Sequence, residues 1–535
     1  MDGLEDHTMN LTPEHTPAPD GSELEFKLAV PASRVSAIMT ELNEDHPAKS
    51  TVLQAHYFDT PDDRLAAAGL SLRLRQHGGR WFQTLKMKGK HGNLHRAEHE
   101  VAVDAPPGSK MPLIDLRRHH GTTAGRAASE ALAQAGGHAG GNALGLVARY
   151  GTRVVRTSRQ ISFRKSLIEL ALDQGHIVAG DQRIPVCELE MELKHGHPSA
   201  LAALARRWLK RHGLWLLAEA KADRGRRLAQ GQSAPSATKA QPVKLDAEAT
   251  TADAMARTVV ANCLSHILPN AAAVAEGSVD ADHVHQLRVG LRRLRTALQE
   301  LAELSSDMPT RVERPIAQVF RALGAHRDQA QVIDAITPRL IEAGARGTAW
   351  AGRTDEPVDL AGLVRQPAFQ IALVRAAEFA FSEEKRRPTS DATSVRKYLR
   401  SRLRRLHANV VGNGRQFKQL DTEHQHQVRK QLKRLRYLCE FASPLFDKAS
   451  VDGYLDSLKP AQEALGDHND YSVAEAMARP CAKKDKDARF AVHWLNEAQR
   501  DTARKAHRTL KKVEHAPRFW KNRLTELAPT GLNGR

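Results

Sequence analysis

The chain has 535 residues, with 80 Lys or Arg against 62 Asp or Glu, and a formal net charge of +18. This length is enough for more than one domain. Only 5% of the residues are aromatic, which argues against base stacking on single-stranded nucleic acid, although nonspecific nucleic-acid binding remains an alternative. No apolar run approaches the roughly 18 residues of a membrane span, and four scattered cysteines indicate a reduced, cytoplasmic compartment.

The first strand-like segment carries alternating acids. Residues 1–20 have neither an apolar core nor a basic start and are predicted to be a disordered tail. Glu23–Lys27 then places its acids on one face of a strand, and Glu188–Glu192 repeats the pattern. Carboxylates this close repel one another unless a cation lies between them, and Mg²⁺ prefers such oxygen ligands. The pattern predicts a metal-dependent phosphate site.

Other alternating segments supply the matching cations. Leu70–Arg75 and Thr84–Lys88 are basic on one face, Arg96–Glu100 and Thr152–Arg156 continue the pattern, and Ile168–Asp173 predicts a strand that ends in a turn at Gln174-Gly175. For a single strand, a sheet facing water is the simpler interpretation. For the whole set, in which both signs are mixed, we favour a closed barrel with a charged interior.

Several further segments occur in a characteristic order. They are Tyr57–Pro61, Leu72–Arg75, Gln83–Lys86, Cys187–Leu193 and Lys221–Gly225. Together with the acidic first strand, they resemble the CYTH domain of the triphosphate tunnel metalloenzymes, over residues 21–228. The resemblance is greatest to the inorganic triphosphatase branch. It implies an eight-stranded antiparallel β tunnel with helices that binds a linear triphosphate.

The resemblance also implies roles for individual residues. The catalytic residues would be Glu23, Glu25 and Lys27, and Mg²⁺ or Mn²⁺ would be held by Glu23, Glu25, Asp173, Glu188 and Glu190. Phosphate oxygens would be bound by Arg73, Arg75, Lys86, Arg96, Arg156 and Lys221. Two alternatives stay open: which two of Glu188, Glu190 and Glu192 reach the metal, and whether Arg153 or Arg156 faces the substrate. Arg156 fits the strand phase better.

A second domain with an internal repeat follows. Residues 229–246 are rich in Ser, Ala, Gln and Pro and predict a flexible linker, and residues 247–525 are long enough for a separate domain. His285–Arg295 recurs as His426–Arg436. Ala322–Asp328 recurs as Ala464–Asp470 at nearly the same offset. The repeat unit is therefore predicted to be a helical subdomain.

Each repeat predicts a helix with a cationic stripe. The stripe residues are His285, Arg288, Arg292 and Arg295 in the first copy and His426, Arg429, Lys433 and Arg436 in the second. Apolar residues, such as Leu287 and Leu432, form a separate stripe. A charged stripe is often only a solvated face, but acids at i, i+4 are expected to be missing from both stripes. We therefore predict anion binding; metal binding by the histidines is the weaker alternative because tight ligand spacing is lacking.

These motifs resemble the CHAD family, the conserved histidine α-helical domain. The resemblance implies two pseudo-symmetric four-helix bundles around a basic pore, with the eight stripe residues binding inorganic polyphosphate. The predicted fold class is thus α+β multidomain.

The predicted function is metal-dependent hydrolysis of inorganic triphosphate in the tunnel, with polyphosphate bound by the helical domain. We expect a bacterial, cytoplasmic protein, associated with polyphosphate-containing granules. Thiamine-triphosphatase or class IV adenylyl cyclase activity in the same tunnel, or a non-catalytic polyphosphate-binding role, are the alternatives.

Overall fold

The computed structural model of the protein describes residues 22–89, 92–106, 111–133, 145–245, 251–346, 358–382 and 392–521. Within these ranges, side chains are described except at 22–23, 89, 92–97, 325–331 and 392. The predicted tail, 1–20, lies outside the described residues. The chain divides into two compact units, one of residues up to 197 with 219–233, the other of 198–218 with residues from 234 onward. The domain boundaries predicted from the sequence stay predictions.

The regular elements are named in chain order. The strands are β1 (Ser22–Ala29), β2 (Lys49–Asp59), β3 (Leu70–His77), β4 (Arg80–Gly89), β5 (Gly92–Val103), β6 (Val147–Phe163), β7 (Ser166–Ala179), β8 (Gln182–His195) and β9 (Trp215–Leu216). The α-helices are α1 (Val35–Leu42), α2 (Arg64–Ala67), α3 (Thr123–Ala133), α4 (Pro198–His212), α5 (Lys221–Ala229), α6 (Ala252–Ala275), α7 (Ala281–Glu300), α8 (Glu313–Glu342), α9 (Leu360–Arg365), α10 (Pro367–Phe381), α11 (Ala392–Arg415), α12 (Thr422–Ala442), α13 (Lys448–Ala478) and α14 (Lys486–His515).

The first unit is built on an antiparallel sheet that curls into a tunnel. Its strands follow the order β5-β4-β3-β2-β6-β7-β8-β1. β1 pairs with β8 from Glu25 to Ala29, and its first residues also pair with β5, where Ser22 lies opposite Ala97. The two ends of the strand order therefore meet through a short ladder. The predicted antiparallel β tunnel with helices is confirmed, but beyond this ladder of three residue pairs the described strands do not close into the expected barrel.

Alternation along the strands separates charge from apolar surface. On β3, Arg73 and Arg75 line the interior cavity, whereas Leu74 between them is fully buried on the other face. Helices from the loops cover part of this outer face: Leu65 of α2 and Leu132 of α3 belong to one buried cluster with residues of β3 and β4. The apolar outer face of these strands packs against the helices, so the alternating charged residues are left on the inner face of the tunnel.

The expected turn at Gln174-Gly175 is wrong. β7 continues through both residues to Ala179, and the chain reverses at Gly180, which has a φ of +55°. A side chain at Gly175 would bring its Cβ within 2.1 Å of the carbonyl oxygen of Arg153 on β6. The glycine therefore permits a close approach between two strands instead of a turn.

The second unit is helical and contains two four-helix bundles. α6, α7, α8 and α10 pack together in the first bundle, and α11 to α14 form the second. α7 contacts α12 and α8 contacts α13, so repeat-related helices face one another. α4 packs on α10, and Gln370 of α10 accepts a hydrogen bond of 2.9 Å from the Leu216 N–H of β9. The predicted helical architecture is confirmed.

The predicted apolar stripes form the cores of these bundles. On α7, Leu287, Leu291 and Leu294 are fully buried, and on α12 Leu432 and Leu435 are at most 1% exposed. Burying such side chains stabilises each bundle by roughly 1.5–3 kcal/mol per residue. The cationic stripes are thereby fixed on the neighbouring helix faces.

One described helix, α6, is long and apolar enough to cross a membrane by length and composition alone. However, 72% of its apolar window is buried inside the protein. It also carries the buried Arg257, which donates a hydrogen bond to the carbonyl oxygen of Phe379 on α10. These contacts are those of a core helix.

Residues 229–246 stay a predicted linker, and two of the described residues in this segment make specific contacts with α6. Residue 246 lies outside the described residues, and residues 232–245 contain no helix or strand. Nevertheless, the buried side chain of Asn270 on α6 donates to the Thr238 carbonyl at 2.9 Å and accepts from the Thr238 N–H at 3.1 Å. Asn262 donates to the carbonyl of Gln241 at 3.1 Å. A Ser-, Ala- and Pro-rich composition indicates only that regular structure is lacking.

Gly225 on α5 provides a test of the packing beside the tunnel. A Cβ at this position would lie 2.2 Å from the ring of Tyr150, which stacks on Tyr57 at 4.8 Å between ring centroids. We predict that Gly225→Ala lowers the free energy of unfolding of the first unit by about 1–3 kcal/mol, the usual effect of overpacking. Urea denaturation followed by circular dichroism measures this. Gly453→Ala is the control, because its Cβ meets no atom within 4 Å; equal stability of both variants would contradict the prediction.

Candidate functional site

Three carboxylates converge on one wall of the tunnel. β8 lies between β7 and β1, and its register sets Glu188 opposite Asp173 and Glu190 opposite Lys27. Carboxylate oxygens of Asp173, Glu188 and Glu190, here called the triad, lie within 4.8 Å of one another. Because alternate residues of a strand share a face, register alone brings them together. The triad is an oxygen-only donor set of the kind that hard divalent ions bind.

Basic side chains from three elements contact the triad. Nζ of Lys27 on β1 lies 2.5 Å from Oε1 of Glu190. Arg156 on β6 donates two hydrogen bonds of 2.7 Å to the carboxylate of Asp173. Lys221, the first residue of α5, contacts all three members of the triad and lies 2.6 Å from Asp173. The buried negative charge is thus compensated on several sides.

These contacts determine the charge state of the triad. Burial alone would raise the pKa of Asp173, but Lys221 and Arg156 outweigh it and hold the pKa below its ordinary value. Burial acts on Glu190 in the same way and is again outweighed, chiefly by Lys221, so its pKa lies well below the ordinary value. Burial would lower the pKa of Lys221, yet the triad raises it. Asp173 and Glu190 are therefore ionised at neutral pH, the state that a cation ligand requires.

A second set of ion pairs lies on β3, β4 and β5. Arg75 donates two hydrogen bonds of 2.9 Å to the two carboxylate oxygens of Glu100. Lys86 is in close contact with Glu98, and Nη2 of Arg73 lies 3.5 Å from the same carboxylate. Both sets of ion pairs face a cavity of about 770 Å³. Its charged lining can hold a small polyanion against several walls at once.

Most of the predicted tunnel residues come together in this cavity. Those that line it are Glu25, Lys27, Arg73, Arg75, Lys86, Arg156, Asp173, Glu190 and Lys221. Glu188 is fully buried and belongs to the triad. The backbones of Glu23 and Arg96 pair with each other between β1 and β5, but their side chains lie outside the described ones.

The two alternatives left open by the sequence differ in their geometry. Arg156 lines the cavity, whereas Arg153 is exposed. Glu192 also lines the cavity, but its carboxylate lies 2.6 Å from Nζ of Lys194, and burial raises its pKa. The β8 residues within the triad are therefore Glu188 and Glu190.

Three residues of this charge network lie in segments noted in the sequence but were given no role there. Arg224, one turn after Lys221 on α5, lies 3.1 Å from Glu188. Glu98 and Glu100 hold the basic residues of β3 and β4. The signals were the i, i+3 spacing of the two α5 cations and the alternation of the two acids along β5.

In the second unit, the two cationic stripes meet where α7 contacts α12. Lys433 lies at this point, because Arg292, Arg429 and Arg288 all act on its charge, opposed by Asp470. Burial first and these arginines second lower the pKa of Lys433 to about 6. Positive groups gathered in this way make a site that an anion would stabilise.

The stripe histidines are partly covered. His285 and His426 are half-buried, and Nδ1 of His426 lies 2.9 Å from Oδ1 of Asn469 on α13. Burial lowers the pKa of His426, and nearby Lys430 lowers it further. At neutral pH this imidazole is therefore mainly uncharged and acts through hydrogen bonds.

One premise about the stripes is wrong at Arg436. An acid at i, i+4 was expected to be missing, but Arg436 donates to Glu440, four residues later, at 2.8 Å. On the other stripe, Arg295 lies 3.6 Å from Glu313 of α8. Both stripes thus end in ion pairs, and their cationic overlap is centred on Lys433. Pairing at the ends arises because these side chains are the more exposed ones and reach neighbouring acids.

These observations define a tunnel with a carboxylate triad, followed along the chain by a basic two-bundle unit. Residues 21–225 match the CYTH domain, and residues 258–479 match the CHAD domain. The chain carries an N-terminal CYTH domain fused to a C-terminal CHAD domain.

Individual proteins show the same two similarities. An inorganic triphosphatase from Haemophilus influenzae is 30% identical over 211 residues, which are 38% of this chain and 54% of that protein. The chain thus matches only about half of that relative's length. The crystal structure of the CHAD domain from the plant Ricinus communis has 25% identity and a TM-score of 0.41, covering 53% of this chain and 98% of that one. An adenylyl cyclase candidate from Hippeastrum with a dominant triphosphatase activity has 19% identity and a TM-score of 0.29, covering 40% and 98%.

The lowered pKa of Lys433 predicts how the stability of the protein depends on pH. An unfolded lysine has a pKa of about 10.4, whereas Lys433 in the folded chain has a pKa of about 6. Between these two pKa values, the folded state binds fewer protons than the unfolded state. Lys433 therefore does not lower the stability above the pKa of the unfolded lysine. Its destabilising effect grows as the pH falls towards the pKa of the folded state. We predict that Lys433→Met raises the Tm of the full chain more at about pH 6.5 than at about pH 9.5.

The measurement is differential scanning calorimetry in a buffer without phosphate or sulfate. Lys448→Met is the control, because the side chain of Lys448 is 90% exposed and should give no pH-dependent gain. A gain from Lys433→Met of the same size at both pH values would show that this lysine is charged throughout.

Proposed function

We propose that the CYTH tunnel hydrolyses inorganic triphosphate with the help of a divalent metal ion. The observation that carries the proposal is the triad, grouped within 4.8 Å beside a cation-lined cavity. A receptor for anions alone would gain nothing from buried carboxylates, because they repel phosphate oxygens. The similarity to a relative named inorganic triphosphatase supports the same activity.

Mg²⁺ or Mn²⁺ fits the donor set. The triad offers only carboxylate oxygens, and Lys221 already occupies the kind of position that a cation takes among them. The residues that would hold the ion are Asp173, Glu188 and Glu190, with Glu23 and Glu25 of β1 as further ligands. When bound, such an ion supplies a Lewis acid for phosphoryl oxygens and for the attacking water.

The basic residues of the chain bind and orient the substrate. Arg73, Arg75 and Arg156 present planar guanidinium groups that bind phosphate oxygens in pairs. Lys86 acts as a point charge. The ion pairs on β3 to β5 hold Arg73, Arg75 and Lys86 in position before the substrate arrives, which reduces reorganisation in the transition state.

Lys27 connects the two functions of the site. Its Nζ lies 3.2 Å from Glu25 and 2.5 Å from Glu190, so it positions two carboxylates at once. It also lines the cavity and can donate to a phosphate oxygen. This supports its assignment as a catalytic residue.

Glu190→Gln tests the triad. The change keeps the side-chain volume but removes a charge from the proposed metal site, and we predict a loss of at least about 100-fold in phosphate release from tripolyphosphate. Malachite-green assays with Mg²⁺ and Mn²⁺ measure the rate, and paramagnetic resonance measures Mn²⁺ binding.

Glu192→Gln is the matched control on the same strand and face. Its carboxylate pairs with Lys194 outside the triad, so activity should stay within about five-fold of the wild type. Equal losses in both variants, with unchanged Tm values, would argue against the triad as the metal site.

We further propose that the CHAD domain binds inorganic polyphosphate. The support is the meeting of the two stripes around Lys433, where cations exceed acids. A flexible chain of phosphates can contact several such groups together, and arginine binds phosphate oxygens in pairs. Binding should weaken as salt increases, because counterions are released from the polyanion, as they are from nucleic acid.

A quadruple variant tests this site in the full chain. Replacing Arg288, Arg292, Arg429 and Lys433 by Ala should abolish polyphosphate binding while sparing tripolyphosphate hydrolysis. The control replaces four cations of the same unit that are at least 61% exposed, namely Arg415, Lys448, Lys459 and Arg504. Fluorescence anisotropy with labelled polyphosphate, and with duplex DNA at matched salt, measures binding. Equal losses in the two variants would show that only net charge matters.

A further inference from the structure

One aromatic ring lies against three arginines of the α7 stripe. Phe320 of α8 is half-buried, and the distance from its ring centroid to Cζ is 5.7 Å for Arg288, 5.2 Å for Arg292 and 5.7 Å for Arg295. A guanidinium within about 6 Å of a ring centroid is attracted by the negative face of the ring. A single side chain therefore holds the three arginines of one stripe.

The repeat-related position in the second bundle is occupied differently. Leu323-Gly324 of α8 corresponds to Leu465-Gly466 of α13, so Gln462 stands where the first copy has Phe320. Oε1 of Gln462 accepts a hydrogen bond of 3.2 Å from Arg436, which also donates to Glu440. The last arginine of each stripe thus lies beside an acid, Glu313 for Arg295 and Glu440 for Arg436, but the first copy also has the ring of Phe320.

The two modes of contact have different consequences for an anion. A ring contacts the face of a guanidinium, whereas carboxylates and amides accept from its in-plane N–H groups. Those N–H groups are the ones that bind phosphate oxygens in pairs. A carboxylate also brings a negative charge that repels phosphate, and a neutral ring does not.

We propose that Phe320 is a positioning residue for the polyanion site. The inference rests on the proposed binding of polyphosphate by the CHAD domain. Phe320 keeps the guanidinium groups of Arg288, Arg292 and Arg295 together beside one ring, so that they bind phosphate as a group. The second bundle has Gln462 at the related position and lacks the ring.

Phe320→Leu tests the proposal in the full chain. Leu keeps an apolar side chain but removes the ring, and we expect roughly ten-fold weaker binding of labelled polyphosphate. The slope of log Kd against log salt should stay unchanged, because the number of cations is the same. Arg292→Gln should lower both the affinity and the slope.

Two further variants separate positioning from folding. Phe320→Trp retains an aromatic face and should keep affinity within about three-fold of the wild type. Gln462→Leu, at the repeat-related position, should change affinity by less than about two-fold because the Phe320 ring and its three arginines are unchanged. Tm values of all variants show whether the fold is retained.

Each possible result either supports or contradicts the positioning role of Phe320. If the wild type binds polyphosphate and Phe320→Leu binds equally well, the positioning role is wrong and the proposed function stands. If the Leu and Trp variants lose affinity equally, the ring face is not the cause and the role is again wrong. If the wild type itself shows no binding, the proposed function fails and the positioning role fails with it.

Discussion

Charge that leaves water must be compensated, and both units of this protein are organised by that requirement. In the tunnel the compensation is internal. Lys221 contacts all members of the triad, and Arg156 contacts two of them. If the carboxylates or the basic groups were buried without the other, burial would shift their pKa values so that the neutral form was favoured. Together they stay ionised, which keeps carboxylates available to a metal ion and cations available to phosphate.

The helical unit meets the same requirement incompletely. At the overlap of its stripes, three arginines and one acid surround Lys433, and this lysine responds by a lowered pKa. An anion entering there would restore the missing negative charge. This difference supports the two proposed ligands: a compact anion together with a cation for the tunnel, and a polyanion alone for the helical unit. This difference follows from the local balance of charge and holds for each unit by itself.

How far the sequence predicts the site depends on whether the deciding information is local. Strand phase is local, and it is enough to favour Arg156 over Arg153 and to predict a charged interior. Membership of the triad depends on the register of β8 with β7, which involves residues far apart in sequence. The sequence therefore does not separate Glu188 and Glu190 from Glu192. The turn predicted at Gln174-Gly175 was wrong for the same reason. A glycine is required at position 175 because the neighbouring strand β6 approaches closely.

The internal repeat shows the same limit at the level of the fold. Two copies of one motif predict two similar bundles, because the apolar and charged positions of the helices recur. The positions next to the stripes do not recur: Phe320 in one copy corresponds to Gln462 in the other. The ring centroid lies within 5.7 Å of the Cζ atoms of three arginines, whereas the amide accepts a hydrogen bond from Arg436. The two stripes are therefore alike in their cations but differ in the side chains that contact them, and a sequence repeat does not predict those neighbours.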